Sequence, residues 1–234
     1  MKKVLLYSGG LDSWLINQIW QPDILIYIDM QTEYSEIEKS RLPENIKIAT
    51  LPLAQFSLEN SIIPLRNLYL YAMACNMTGF DDVEICLGAL NGDRVNDKTQ
   101  IFADKLNDLM KYLYAEQQSQ PGKMVKISMP FKQYSKRELL EQYLKMGGSL
   151  EKAYNETFSC YHPDNDNKPC LACKACFRKV IPFIVAGMNF TKDQRRKIQD
   201  FMIKTVLSDM DDYIKDKGKE GDDCHRAIEI IKIW

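Results

Sequence analysis

Two sets of residues carry chemistry in this chain. The first is Ser8-Gly9-Gly10-Leu11-Asp12-Ser13, placed directly after the apolar run Val4-Leu5-Leu6-Tyr7. Adjacent glycines let a backbone bend tightly and turn several N–H groups toward one anion, and a helix that follows adds the positive end of its dipole. Ser8 and Ser13 can donate hydroxyls to phosphate oxygens, and Asp12 can hold Mg²⁺ beside them. The turn lacks the G-x-x-x-x-G-K-[ST] pattern and the third glycine of the dinucleotide fingerprint. The second set is Cys160, Cys170, Cys173 and Cys176. Four thiolates at this spacing match a closed tetrahedral Zn²⁺ site, with an iron–sulfur cluster as the competing occupant and His162 as a loop histidine. Such a site would offset the poor burial expected of the polar stretch 157–179.

Elements must position these groups. Apolar runs at Val4–Tyr7, Ile24–Asp29, Ile46–Leu51, Val83–Gly88 and Val125–Met129 alternate with helical patterns, which predicts an α/β fold with a doubly wound, mostly parallel five-stranded sheet. Helices are expected over Leu11–Trp20, Asn67–Met77, Lys98–Glu116 and Arg137–Met146. They end at Gln21-Pro22, Gly79, Pro121-Gly122 and Gly147-Gly148. Ser135-Lys136-Arg137-Glu138 reads as a capping box. Beyond Thr157 the texture turns polar and cysteine-bearing, then helical again at about Val180–Ala186, Lys192–Lys215 and Asp222–Trp234. The expected organisation is a nucleotide-binding domain over 1–156 and a zinc knuckle with helices over 157–234.

Ligands of a doubly wound sheet bind beyond the carboxyl ends of its strands. Asp29 ends the second strand and is a candidate for nucleotide or metal, or a helix cap. Arg66 and Asn67 open a helix where a cation suits a bound anion, with Asn67 as N-cap. Asn91, Asp93 and Asp97, with Arg94 between them, fill the polar loop after the fourth strand, where substrate selectivity is expected, although an N-cap accounts for Asp97 alone. Lys136 could reach phosphate from the far side of the cleft, or be an exposed lysine of a first helical turn.

The bulk numbers exclude several classes. The chain of 234 residues is 45% hydrophobic and 27% charged, ordinary for a globular protein. Its 31 Lys plus Arg nearly balance 32 Asp plus Glu, which argues against direct nucleic-acid binding or an anionic membrane partner. There is no apolar run long enough for a membrane span. A leader pattern is missing at the start, so the seven cysteines are expected in a reducing cytoplasm, with Cys75, Cys86 and Cys224 as core or surface residues.

The Ser8–Ser13 turn resembles the SGGxDS loop of the PP-loop ATP pyrophosphatases. With Pro64-Leu65-Arg66-Asn67, Ser135-Lys136-x-Glu138, Thr157-Phe158-Ser159-Cys160-Tyr161 and the late knuckle with its Arg178-Lys179, the chain is similar over residues 1 to about 182 to the 7-cyano-7-deazaguanine synthase family. The resemblance implies a cytoplasmic C–N ligase, often a homodimer, that uses ATP, Mg²⁺ and Zn²⁺ to convert 7-carboxy-7-deazaguanine and ammonia to the nitrile through an acyl-adenylate and an amide. Ser8, Gly9, Gly10, Leu11, Asp12, Ser13, Lys136 and Asp29 would hold the nucleotide and pyrophosphate. Asp12, Ser13, Lys136 and Arg66 would be catalytic, and Arg66, Asn67, Asn91, Asp93 and Asp97 would meet the substrate. Two loops depart from the family pattern. Asp29-Met30-Gln31-Thr32-Glu33-Tyr34 lacks its Arg and His, and Arg94-Val95-Asn96-Asp97-Lys98 is short. A ligase that stops at the amide or takes another amine or acceptor, and a PP-loop tRNA-modifying enzyme, stay open as alternatives. The latter often needs a reactive cysteine pair outside the metal site, and Cys75 and Cys86 lie in apolar contexts that disfavour thiolates.

Overall fold

The computed structural model describes residues 1–58, 62–93, 95–116, 122–215 and 217–234, without the side chains of 211 and 212. Two compact units form. One comprises Met1–Gly9, Trp20–Ala89 and Val95–Lys132; the other comprises Gly10–Ile19, Leu90–Arg94 and Gln133–Trp234.

The first unit carries the sheet: β1 (Lys2–Leu6), β2 (Ile24–Asp29), β3 (Lys47–Thr50), β4 (Val83–Cys86) and β5 (Val125–Ser128), in the order β3-β2-β1-β4-β5. All pairings are parallel, with Leu6 opposite Ile26 and Leu5 opposite Cys86. The order runs outward from β1 in both directions. That is the doubly wound arrangement, with its switch point between β1 and β4. Val4, Leu6, Ile26, Ile28, Val83, Ile85 and Ile127 line one face and pack with Tyr71, Ala74 and Cys75 of α3 (Arg66–Met77) and Ala103, Leu106 and Met110 of α4 (Gln100–Leu113). Leu5 and Tyr27, on the other side of the pleat, are buried as well, so the strands read as near-continuous apolar runs. Asn107 takes the outward amide and carbonyl of Ile127, at 2.6 and 3.0 Å, which blunts the β5 edge. The ammonium of buried Lys123 gathers the Cys75 carbonyl, the Thr78 hydroxyl and the Gly79 carbonyl at 2.9, 2.9 and 2.6 Å, and so closes the C-terminus of α3.

A short α2 (Ser35–Lys39), which the sequence reading did not anticipate, follows β2. A 3₁₀ turn at Asn96–Lys98 separates the polar loop from α4, whose N-cap is Thr99 and not Asp97. Helix α3 likewise begins one residue before the expected start. Its cap is Leu65 in the left-handed region, and Asn67 is a buried first-turn residue rather than the N-cap. Pro121, expected to end the preceding helix, and Arg94 lie outside the described residues.

The second unit is helical: α1 (Leu11–Trp20), α5 (Lys136–Lys145), α6 (Leu150–Asn155), α7 (Lys174–Val185), α8 (Lys192–Phe201), α9 (Met210–Tyr213) and α10 (Lys219–Ile231). Helix α1 takes in Trp20, the first residue of the other unit's next segment. Gly147 ends α5 at φ +90° with the Gly148 amide on the Tyr143 carbonyl at 3.1 Å, the expected glycine stop. Three expectations change here. Helix α7 starts at Lys174, inside the cysteine knuckle, because the Cys173 sulfur accepts the Cys176 amide as an N-cap would. The span 192–215 is interrupted by a π-turn at Met202–Val206. Residues 157–179 are also less poorly buried than their polarity suggests, since Phe158, Leu171 and Phe177 enter the core and only the 161–168 stretch is largely exposed.

Candidate functional site

The turn after β1 extends the ladder by one bond, Tyr7 N–H to the Ile26 carbonyl at 2.8 Å. Gly9 then takes φ +72°, with nothing near where a Cβ would stand; the glycine is required by conformation, not by space. Ser8 is exposed. Leu11 is buried and anchors the start of α1, where the Gly10 carbonyl accepts the Trp14 amide at 3.0 Å and the Ser13 hydroxyl at 3.2 Å. Asp12 therefore lies in the first turn of α1, at the positive end of its dipole.

Lys136 opens α5 behind the capping box formed by Ser135 and Glu138. A cation at a helix N-terminus is poorly placed unless a negative group offsets it. Here Asp12 does so: the Lys136 ammonium contacts Asp12 Oδ2, with the lysine side chain 13% exposed. The expected alternative of an exposed lysine does not hold. Asp12 Oδ1 is buried and takes no hydrogen bond. Burial pulls the Lys136 ammonium down, but Asp12, Glu220 and Asp93 outweigh burial and Arg178, so it stays above an ordinary lysine.

Arg178 of α7 forms a two-pronged pair with Glu220 of α10, Nε to Oε1 at 3.1 Å and Nη2 to Oε1 and Oε2 at 2.8 and 3.0 Å. Burial disfavours its charge, and Glu220, Asp93 and Asp12 more than restore it. Asn91 and Asp93 belong to the same unit. Asn91 Oδ1 accepts the Lys219 amide at 2.9 Å, and Asp93 Oδ2 accepts the Leu90 amide at 3.0 Å. Helix α10 is further tied to α5 by Asp223, which takes the Ser135 hydroxyl at 2.6 Å and Arg137 Nε at 2.5 Å, and by Lys219 on Glu138 at 2.8 Å.

The remaining candidates lie in the sheet unit. Asp29 Oδ1 accepts the Gln31 amide at 2.8 Å, and Oδ2 pairs with Lys39 at 3.2 Å. Burial would raise its pKa, but the Gln31 amide, Ser35 and Lys39 hold it below the usual carboxylate range. Its acceptors are engaged, in the manner of a cap. Arg66 is half-buried at the start of α3, and its charge is felt by Glu38. Burial pushes the Glu38 carboxyl up to about 7, despite the Tyr27 hydroxyl donating to it at 2.9 Å. Asp97 stands on the 3₁₀ turn before α4.

The four cysteines converge. Their sulfurs all lie within 4.8 Å of one another, Cys160 to Cys170 at 3.5 Å and Cys170 to Cys176 at 3.9 Å. Tetrahedral thiolates around one ion at a bond length of about 2.3 Å stand about 3.8 Å apart, so the cluster could hold a metal. Backbone amides of Cys170, Ala172 and Cys176 donate to sulfurs of Cys160, Cys170 and Cys173 at 3.3, 3.4 and 3.5 Å. Those bonds suit thiolates. Among the described residues His162 is outside the cluster and exposed. Burial pushes the thiols of Cys75, Cys86 and Cys224 up to about 11, 12 and 12, as their apolar surroundings imply.

Arg178, Glu220 and Glu38 were not among the sequence candidates. Arg178 was visible only as the basic residue after the knuckle, and Glu220 had no signal beyond the glycines on either side of it.

Compared with known proteins, residues 23–186 match the family described as Queuosine biosynthesis protein QueC. A 7-cyano-7-deazaguanine synthase of Methanococcus aeolicus is 29% identical over 62% of this chain and 62% of its own. Those of Psychromonas ingrahamii and Chlorobaculum tepidum are 25% and 23% identical, over 80% and 81% of this chain and 95% and 94% of theirs. The chain thus spans under two thirds of the first relative and nearly all of the other two. No solved structure matches it significantly.

Proposed function

Because the chain belongs to the QueC family of queuosine biosynthesis proteins, we propose that it is an ATP-dependent ligase making 7-cyano-7-deazaguanine from 7-carboxy-7-deazaguanine and ammonia. A carboxylate is a poor electrophile. Its oxygen would attack the α-phosphorus of ATP with loss of pyrophosphate, and ammonia would then displace AMP to give the amide. A second ATP would adenylate the amide oxygen with loss of pyrophosphate and one N–H proton, and departure of AMP with the remaining N–H proton would leave the nitrile.

The observation that carries this reading is the Lys136–Asp12 pair with Asp12 Oδ1 buried and unpartnered. A hard carboxylate oxygen without a hydrogen bond fits Mg²⁺, which would neutralise phosphate oxygens. Asp12 would hold it. Ser8, Gly9, Gly10, Leu11 and Ser13 would cradle the pyrophosphate portion, with Lys136 as its cation, so that positioning and charge neutralisation supply most of the acceleration. Asp29 would complete the nucleotide site through its engaged carboxylate, Arg66 would steady the developing charge, and Asn67, Asn91, Asp93 and Asp97 would meet the deazaguanine. Cys160, Cys170, Cys173 and Cys176 would hold a structural Zn²⁺ that fixes the start of α7. A cytoplasmic homodimer is the assembly we expect. The domain reading of 1–156 and 157–234 assigns the nucleotide to the first part and the metal to the second.

The test is mass spectrometry of a reaction containing 7-carboxy-7-deazaguanine, ATP, Mg²⁺ and ammonium. AMP together with a nitrile lighter than the amide by one water supports the reading. AMP with the amide alone moves the enzyme to the amide-forming variant, and neither product defeats it.

A further inference from the structure

Helices α5, α7 and α10 pack on one another, and they bring Lys136, Arg178 and Glu220 together from chain segments far apart in sequence. Glu220 lies beyond the segment matched to the family, 23–186, and is 7% exposed, so its carboxylate is committed to Arg178. The described bonds engage Nε and Nη2 of the guanidinium. Nη1 is outside them. A guanidinium gripped along one edge is fixed in plane and presents its other end to a ligand, the geometry that arginine uses for phosphate oxygens. The grip is itself braced. Gly92 runs so close to Glu220 that a Cβ there would stand 2.3 Å from Oε2, and Asp223 and Lys219 pin the N-terminal part of α10 to α5 at 2.5 and 2.8 Å. Glu220 therefore cannot swing away from Arg178 without moving either the Asn91–Asp93 loop or the helix.

Resting on the nucleotide reading above, we propose that Arg178 is a second phosphate-binding cation beside Lys136, and that Glu220 is a positioning residue that aims it. Asp12, Asp93 and Glu220 carry three negative charges against the two of Lys136 and Arg178. A Mg²⁺-bound phosphate chain arriving at Asp12 would draw Lys136 off that carboxylate and find Arg178 already oriented, with no rearrangement of the Glu220 pair.

The experiment measures binding of Mg·ATP, inorganic pyrophosphate and adenosine by titration calorimetry, on the wild type, Glu220→Gln and the double variant Arg178→Gln/Glu220→Gln. The double variant leaves no buried charge unpaired and so protects the fold. Loss of a charge-assisted bond of about 1.5–3 kcal/mol corresponds to about 10- to 150-fold. The double variant should lose about that much affinity for Mg·ATP and pyrophosphate, and Glu220→Gln a smaller part of it. Adenosine affinity should barely change in either variant, and the melting temperature of the double variant should stay near that of the wild type, whereas Glu220→Gln alone, which strands the Arg178 charge, melts lower. A purely structural ion pair would weaken adenosine and Mg·ATP alike, or neither, and either result overturns the proposal while leaving the nucleotide reading intact. A wild-type protein that binds neither Mg·ATP nor pyrophosphate defeats the nucleotide reading, and this inference with it.

Discussion

Replacing Gly92 by alanine tests how closely the polar loop is fitted to α10. Gly92 holds φ +99°, and an added Cβ would meet Glu220 Oε2 at 2.3 Å and Glu220 Cβ at 2.7 Å. The positive φ alone costs an alanine roughly 1–2 kcal/mol. The contact adds more, because the nearer atoms include the root of the Glu220 side chain, so relief requires the carboxylate to leave Arg178. Loss of that half-buried, two-pronged pair costs roughly 1–3 kcal/mol. Together the change is about 2–5 kcal/mol, or a fall in melting temperature of about 4–20 °C for a chain of this size. Gly187→Ala is the control: its φ is +80°, and nothing lies within 4 Å of the Cβ position. Only the conformational part applies there, about 2–8 °C. Thermal unfolding followed by circular dichroism on both variants separates the terms. Equal shifts in the two would refute the close approach of the loop to Glu220.

Three other outcomes follow from the geometry. Glu38 titrates near 7 in the folded chain and near 4.3 when unfolded; the folded state holds the proton longer, so this group's stabilisation is full below about pH 4 and is lost as pH rises to 7. Glu38→Gln should flatten that fall, measured by urea midpoints at pH 5 and pH 8, and an unchanged pH slope contradicts it. Asp12→Asn and Lys136→Met should each lower kcat/KM by about 100-fold or more, and the double variant by little more than either single one, because the two act as a pair; additive losses would show that they do not. The protein should contain one zinc per chain by elemental analysis, with Cys170→Ser losing the metal and the thermal stability of the second unit together. A metal-free wild type of full stability would dismiss the site.

Much of the fold was legible because its signals are local. The five apolar runs become the five strands with ends shifted by at most two residues, since a parallel strand buried on both sides needs an unbroken apolar run. The stops at Gly79 and Gly147 and the capping box also read correctly, because they are fixed by backbone conformation within a few residues, whereas α4 already ends at Leu113, well before Pro121-Gly122. The cysteine cluster was legible from spacing for the same reason. What sequence could not provide were the long-range partners. Lys136 was legible as a phosphate candidate with an exposed lysine as the alternative, but not its pairing with Asp12, 124 positions away, and Arg178 became part of a charged cluster only because α10 supplies Glu220 from 42 positions away. The caps of α3 and α4 were misplaced because Leu65 occupies a conformation rare for its type, and because Thr99 competes with Asp97 within one turn.

On the proposed mechanism the turn at Ser8–Ser13 grips the phosphates of ATP. A crystal structure with Mg²⁺ and a non-hydrolysable ATP analogue tests it directly. Phosphate density is expected against the amides of that turn, with Mg²⁺ on Asp12 and the ammonium of Lys136 turned to a phosphate oxygen. Nucleotide bound elsewhere, with this turn vacant at saturating ligand, would contradict it.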